Sequence, residues 1–154
     1  MSPPAPRLRA YAEADLPAVS DLWVSAWGTT GFAIDFAARR GWLEKHLAAL
    51  RRAGVRIVVA CDAGGAPVGF VSIDPESGYL DQLCVAPSAF GTGVGHALIR
   101  EAMRLSPGMV ELDVNEANAR AARFYRREGF AFVTRGHSAA SGLPTIRMRW
   151  EAAG

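Results

Sequence analysis

Tyr79-Leu80-Asp81-Gln82-Leu83-Cys84-Val85, then Ala86-Pro87-Ser88-Ala89, then Phe90-Gly91-Thr92-Gly93-Val94-Gly95, is the stretch whose reading decides the fold. Its first seven residues have the composition of a strand. Pro87 ends it, because proline cannot continue a hydrogen-bonded ladder. A glycine turn follows. Behind it, Val94, Ala97, Leu98, Ala102 and Leu105 recur at helical spacing. A strand that feeds a glycine-rich turn at a helix N-terminus can bind phosphate. The first N–H groups of the helix are unpaired and lie at its positive end, and glycines let a bulky diphosphate reach them.

Taken alone, this spacing also fits an ordinary strand-to-helix turn. A dinucleotide fingerprint would need glycine at position 96, where histidine stands, and Pro87 to Phe90 separate the turn from its strand. Asp113, about 20 residues after Gly93, is the one feature in its favour. A P-loop is excluded because no Gly-Lys-Ser/Thr follows.

Outward from this centre the chain divides cleanly. The proline-rich residues 1–6 read as a disordered leader. Arg7 to Tyr11 reads as a strand. Asp15 stands as N-cap to a helix carrying Leu16, Val19, Trp23, Ala26 and Trp27. A second helix runs from about Asp35 to Arg52, with Phe36, Leu43, Leu47 and Leu50 in phase, and Gly54 closes it. Val55 to Cys61 and Pro67 to Ile73 form a hairpin through Asp62-Ala63-Gly64-Gly65. After the glycine helix come a strand over Met109 to Val114, a helix from Asn118 to Gly129, and strands over Phe130 to Thr134 and Thr145 to Trp150. A loop with His137, Ser138 and Gly142 joins the last two. This order gives an α+β meander of about seven strands and about four helices in one domain, residues 1–154.

Composition narrows the function. The chain has 154 residues, 50% hydrophobic and 21% charged, which suits one globular domain. A net charge of +2 without a basic run gives no reason to expect nucleic acid or a membrane surface as partner. No apolar run is long enough to span a bilayer and no signal pattern opens the chain, so a cytoplasmic protein is expected. Cys61 and Cys84 fall in buried strands and read as reduced core residues. Cys84 as a nucleophile is the rival, without a neighbouring histidine in sequence to activate it. No metal is expected.

Leu83-Cys84-Val85-Ala86-Pro87, the glycines and the helix after them resemble the acetyl-coenzyme A motif of the GNAT superfamily of N-acetyltransferases. Gly93 and Gly95 fit that motif, while Phe90 stands where the family has Arg or Gln. A second block, Asn118-x-x-Ala121-x-x-Phe124-Tyr125 followed by Gly129-Phe130, resembles the segment carrying the family's catalytic tyrosine. The resemblance implies a GNAT-like mixed sheet, splayed between its fourth and fifth strands around the pantetheine arm. It implies acetyl-CoA as acyl donor, with Leu83, Cys84, Val85, Gly91, Thr92, Gly93, Val94, Gly95, Asn118 and Tyr125 holding it. It also implies a small-molecule amine or a peptide as acceptor, attacking directly in a ternary complex.

Acyl transfer to an amine needs a neutral nucleophile, a stabilised carbonyl oxygen and a proton for the departing thiolate. The resemblance gives the second role to the Leu83 backbone N–H, with Val85 on the pantetheine. A backbone donor of this kind is worth a few kcal/mol. Tyr125 is the candidate acid, since a phenol of pKa near 10 stays protonated at neutral pH. An alkylamine of pKa about 10.4 is neutral in roughly one molecule in 2,500 at pH 7, so a base matters. Strict alternation puts Asp81 on one strand face with Tyr79, Leu83 and Val85, and the resemblance, which implies a carboxylate on this strand facing the acceptor, makes it the candidate base. Asn118 serves as N-cap, as cofactor ligand, or as both. The resemblance, in which the two N-terminal helices and their loop wall the acceptor site, implies Trp27 and Phe32 beside the acceptor. Arg120, Arg123 and Arg127 read as a solvated face that offers one or two partners to the coenzyme's 3′-phosphate. Two rivals remain, an acyl-CoA-binding module without turnover and a nucleotide-binding protein. The acceptor's identity and the oligomeric state are open, a homodimer among the possibilities.

Overall fold

The computed structural model describes residues 5–153, so most of the proline-rich leader lies outside the described residues. Its elements are β1 (Arg7–Ala10), α1 (Leu16–Gly28), α2 (Arg40–Arg52), β2 (Arg56–Cys61), β3 (Pro67–Ile73), β4 (Leu80–Val85), α3 (Val94–Leu105), β5 (Met109–Asn115), α4 (Ala119–Arg127), β6 (Ala131–His137) and β7 (Pro144–Glu151). The expected seven strands and four helices appear in the expected order, an α+β fold. His137, expected in a loop, ends β6 instead, where it pairs with Pro144.

The strands hydrogen-bond in two antiparallel sheets, one ordered β1-β2-β3-β4 and the other β5-β7-β6. Alternation along β2 explains the layering. Ile57, Val59 and Cys61 face one cluster with Val19, Trp23, Leu43 and Leu47 of α1 and α2. Val58 and Ala60 face the other, with Leu98, Ile99 and Met103 of α3. That second cluster continues into Val110, Leu112, Val114, Ile146 and Met148 of the smaller sheet and Tyr125 of α4. One apolar core therefore holds both sheets together where hydrogen bonds do not. The buried stripe of α3 is Val94, Leu98, Ile99, Ala102 and Met103. Ala97 and Leu105, expected on it, are only partly covered.

Asp15 does not cap α1 with its side chain. A 3-10 turn over Glu13–Asp15 precedes the helix, and the carboxylate turns back to accept from the Ala12 N–H at 2.8 Å. It also takes two bonds from the Arg9 guanidinium, each 2.7 Å. The pair ties β1 to the start of α1 and holds the Asp15 carboxyl below its ordinary pKa, Arg9 being the main cause. A carboxylate with a depressed native pKa stabilises the fold fully above its unfolded value of about 3.9 and loses that contribution as pH falls through the native value. Asp15→Asn is expected to lower the urea midpoint at pH 7. Its difference from the parent chain should shrink as titration is carried from pH 4 downward.

Candidate active site

Beyond Tyr79 the two sheets part. Among the described residues the only bridge between them is parallel, Tyr79 to Glu111, with the Glu111 N–H donating to the Gly78 carbonyl at 2.9 Å. The Tyr79 hydroxyl donates to Asp113 Oδ2 at 2.8 Å, and Arg147 holds the same carboxylate with two bonds of 3.0 Å. From there β4 runs with β3 on one side and, among the described residues, no strand on the other. The N–H of Gln82 donates to Ser72 Oγ and that of Ala86 to the Val68 carbonyl, both at 2.8 Å. Even-numbered amides therefore face β3, so by the period of a strand those of Leu83 and Val85 face the opening.

The opening is a cleft of about 720 Å³. Gly91 and Gly93 form one wall, with φ of +77° and +89°, values that side chains rarely adopt. A Cβ at either would meet nothing within 4 Å, so the turn presents bare backbone to open space. No side chain caps α3, and its first internal amide bond is Ala97 N–H to Gly93 O, at 3.0 Å. The N–H groups of Val94, Gly95 and His96 are thus left to face an anion. Gly95 has another use: a Cβ there would lie 3.3 Å from the Phe124 ring. These features fit the diphosphate of a coenzyme. Two expected ligands sit elsewhere. Thr92 gives its hydroxyl and its N–H to the Ala89 carbonyl, and the Val94 side chain is buried in the core, which leaves only its amide for the cleft.

The opposite wall is α4. Asn118 accepts from the Ala121 N–H at 3.2 Å, so it is a true N-cap, and it also lines the cleft. Tyr125 is buried edge-on between Phe124 and Phe130, with centroids 5.3 and 5.5 Å away. Its hydroxyl has no hydrogen-bond partner among the described residues, and it too lines the cleft. Burial pushes its pKa well above the usual phenol value. The phenol is therefore protonated at neutral pH. Burial likewise pushes the Cys84 thiol up to about 12, which removes it as a nucleophile at neutral pH.

The acceptor side differs from the sequence expectation. Register between β3 and β4 shifts by one residue between Ser72 and Ile73, so β4 bulges at Asp81. Asp81 consequently leaves the face of Leu83 and Val85, which pack toward α3, and turns to α2. There it meets His46 Nε2 at 2.6 Å. His46 in turn stacks on Trp42, centroids 4.6 Å apart, and Trp42 stacks on Trp23. Trp42 itself is 42% exposed rather than part of the core. Trp27 lines the cleft, whereas Phe32 does not and instead packs on Trp27 at 6.2 Å. Sequence reading missed His46. Its signal is modest: a histidine four residues after Trp42, inside the apolar stripe of Leu43 and Leu47.

Glu111 and Asp113 are occupied by Arg149 and Arg147, and Arg147 holds the Asp113 carboxyl below its ordinary pKa. Both carboxylates are thus engaged by guanidinium groups. His96 is exposed and bonds Glu128 at 2.7 Å. Phe90, also in the cleft, carries the Arg120 guanidinium over its ring, 3.7 Å from the centroid.

Comparison with known proteins agrees with this geometry. Residues 16–130 match the model of the Acetyltransferase (GNAT) family. A peptidyl-lysine N-acetyltransferase, YiaC of Escherichia coli, is 29% identical over 145 residues, 93% of this chain and 95% of its own. Another, YjaB of Salmonella typhimurium, is 36% identical over 78 residues, and that match spans about half of each chain, 51% and 52%. A GCN5-related N-acetyltransferase structure from Rhodopseudomonas palustris superposes with a TM-score of 0.80 over 98% of both chains, at 23% identity, and so shares the fold. The chain belongs to the acetyltransferase (GNAT) family, whose enzymes draw their acetyl group from acetyl-CoA.

Proposed function

We propose that this protein acts as a single domain to transfer an acetyl group from acetyl-CoA to the primary amine of a lysine side chain in a peptide or protein, by direct attack in a ternary complex. The observation that carries the reading is the unpaired edge of β4, whose Leu83 and Val85 amides open onto a cleft walled by bare glycine backbone and by Tyr125. Peptidyl-lysine acetyltransferases among the relatives support the choice of amine. When bound, acetyl-CoA supplies a thioester carbon for the amine to attack. Gly91, Gly93 and the first turn of α3 hold its diphosphate, and the Val85 N–H holds its pantetheine arm. The Leu83 N–H is a fixed donor for the carbonyl oxygen as that oxygen gains charge. Trp27 guides the lysine to the mouth of the cleft.

Two proton movements remain. Asp81 takes the proton of the incoming ammonium through water, and His46 passes it on. Both side chains are about a quarter exposed, 24% and 26%, so the pair can exchange with solvent. Tyr125 donates to the sulfur as it departs. Its raised pKa keeps the proton in place until negative charge draws on it.

Three measurements check these assignments. Gly93→Asn and Gly93→Asp share the strain of a positive φ but differ in charge. The aspartate variant should bind acetyl-CoA at least about tenfold more weakly than the asparagine variant, since a like charge then faces the diphosphate. Equal affinities would remove the phosphate from this turn. Tyr125→Phe keeps the ring and should slow the chemical step by about 10²–10⁴-fold with acetyl-CoA affinity little changed; turnover within twofold, with chemistry limiting, would leave Tyr125 a packing residue.

Asp81→Asn should depress turnover on lysine peptides most near neutral pH, with the deficit closing toward pH 10 as free amine becomes plentiful. His46→Ala should show the same profile to a smaller degree. A deficit flat across that range marks Asp81 as structural. Free-thiol release with lysine peptides, set against free small amines, tests the acceptor; binding of acetyl-CoA without release from any amine would mark a sensing module.

A further inference from the structure

The glycine turn has a shortage of positive charge. From Ala86 to Gly95 the chain carries neither lysine nor arginine, and the side chain just ahead of the glycines is the neutral Phe90. Backbone amides and a helix dipole offer only partial charges to a group bearing two negative ones. The missing cation comes from across the cleft. Arg120 is the second residue of α4, two beyond its Asn118 cap. Its guanidinium lies flat on Phe90, 3.7 Å from the ring centre, well inside the range of a cation–π contact. Both residues line the same cleft as Gly91 and Gly93. Arg120 has no carboxylate partner among the described residues, in contrast to Arg104, Arg147 and Arg149, which are all paired.

We infer that Phe90 and Arg120 form one unit, in which the ring is a platform that holds the guanidinium edge toward the diphosphate of the acyl donor. A planar guanidinium stacked by its face leaves its N–H edge free to bond phosphate oxygens, which a mobile lysine would do less well. Phe90 is then a positioning residue, and the position where related chains carry Arg or Gln is served from α4 instead. The inference rests on acetyl-CoA lying along the glycine turn.

The test is a double-mutant cycle on the full chain, with affinity measured calorimetrically and folding checked by thermal melting. Arg120→Ala is expected to weaken acetyl-CoA binding about tenfold, and 3′-dephospho-acetyl-CoA by the same factor. S-acetyl-pantetheine, which lacks the diphosphate, should bind unchanged. Arg126→Ala, on the same helix but outside the cleft, should leave all three alone. Phe90→Leu should weaken acetyl-CoA about threefold in the parent chain and not at all once Arg120 is alanine. The inference is overturned if Arg120→Ala binds acetyl-CoA as the parent does, or if the two losses add. It is also overturned if the loss vanishes with the 3′-dephospho donor, which would move the guanidinium to the 3′-phosphate. A parent chain that binds acetyl-CoA no better than S-acetyl-pantetheine would overturn the placement of the donor itself, and this pairing with it.

Discussion

An unpaired strand edge inside a folded protein is costly, because each buried amide without a partner forfeits a hydrogen bond. Here the edge of β4 beyond Tyr79 is kept open by three things. The Tyr79–Glu111 bridge and the Tyr79–Asp113–Arg147 bonds pin the sheets at one end. The shared core of α3, β5 and β7 fixes how far they diverge. The glycine turn and α4 then fill the sides of the wedge without closing its centre. Everything proposed for the site depends on those two free amides.

The acidic groups beside the wedge are sorted by their neighbours. Glu111 and Asp113 stand on a strand opposite Arg149 and Arg147, and cross-strand pairing consumes them. Asp81 has no arginine; its partner is a histidine, a group that can carry a proton near neutral pH. The difference lies in what the facing residue can do, since the carboxylates are chemically alike.

Much of the fold was legible because glycine and proline punctuate it. Gly54, Gly78 and Gly129 each take positive φ where an element ends or begins, and Pro87 stops β4. The glycine turn, Asn118 and Tyr125 could be placed on one cleft because the two blocks that carry them resemble the family's motifs in sequence and order. The bulge at Asp81 was not legible: no glycine or proline marks it, and one extra residue shows only against the register of β3. That single residue turned the alternation argument around. His46 and Asp81 are 35 residues apart, and Arg120 and Phe90 are 30 apart, so neither contact leaves a local pattern to read. Asp15 failed as a cap for a related reason, since Arg9 competes for the carboxylate from another element.

The bulge also divides labour between the faces of one strand. Leu83 and Val85 pack toward α3 with the donor elements, whereas Asp81 looks to α2 and the aromatic wall of Trp23, Trp42 and His46. Substitutions on α1 and α2 can therefore change the surroundings of Asp81 without disturbing the backbone that β4 presents to the cleft. A lineage built on this plan is free to vary one face of the strand while the other stands still.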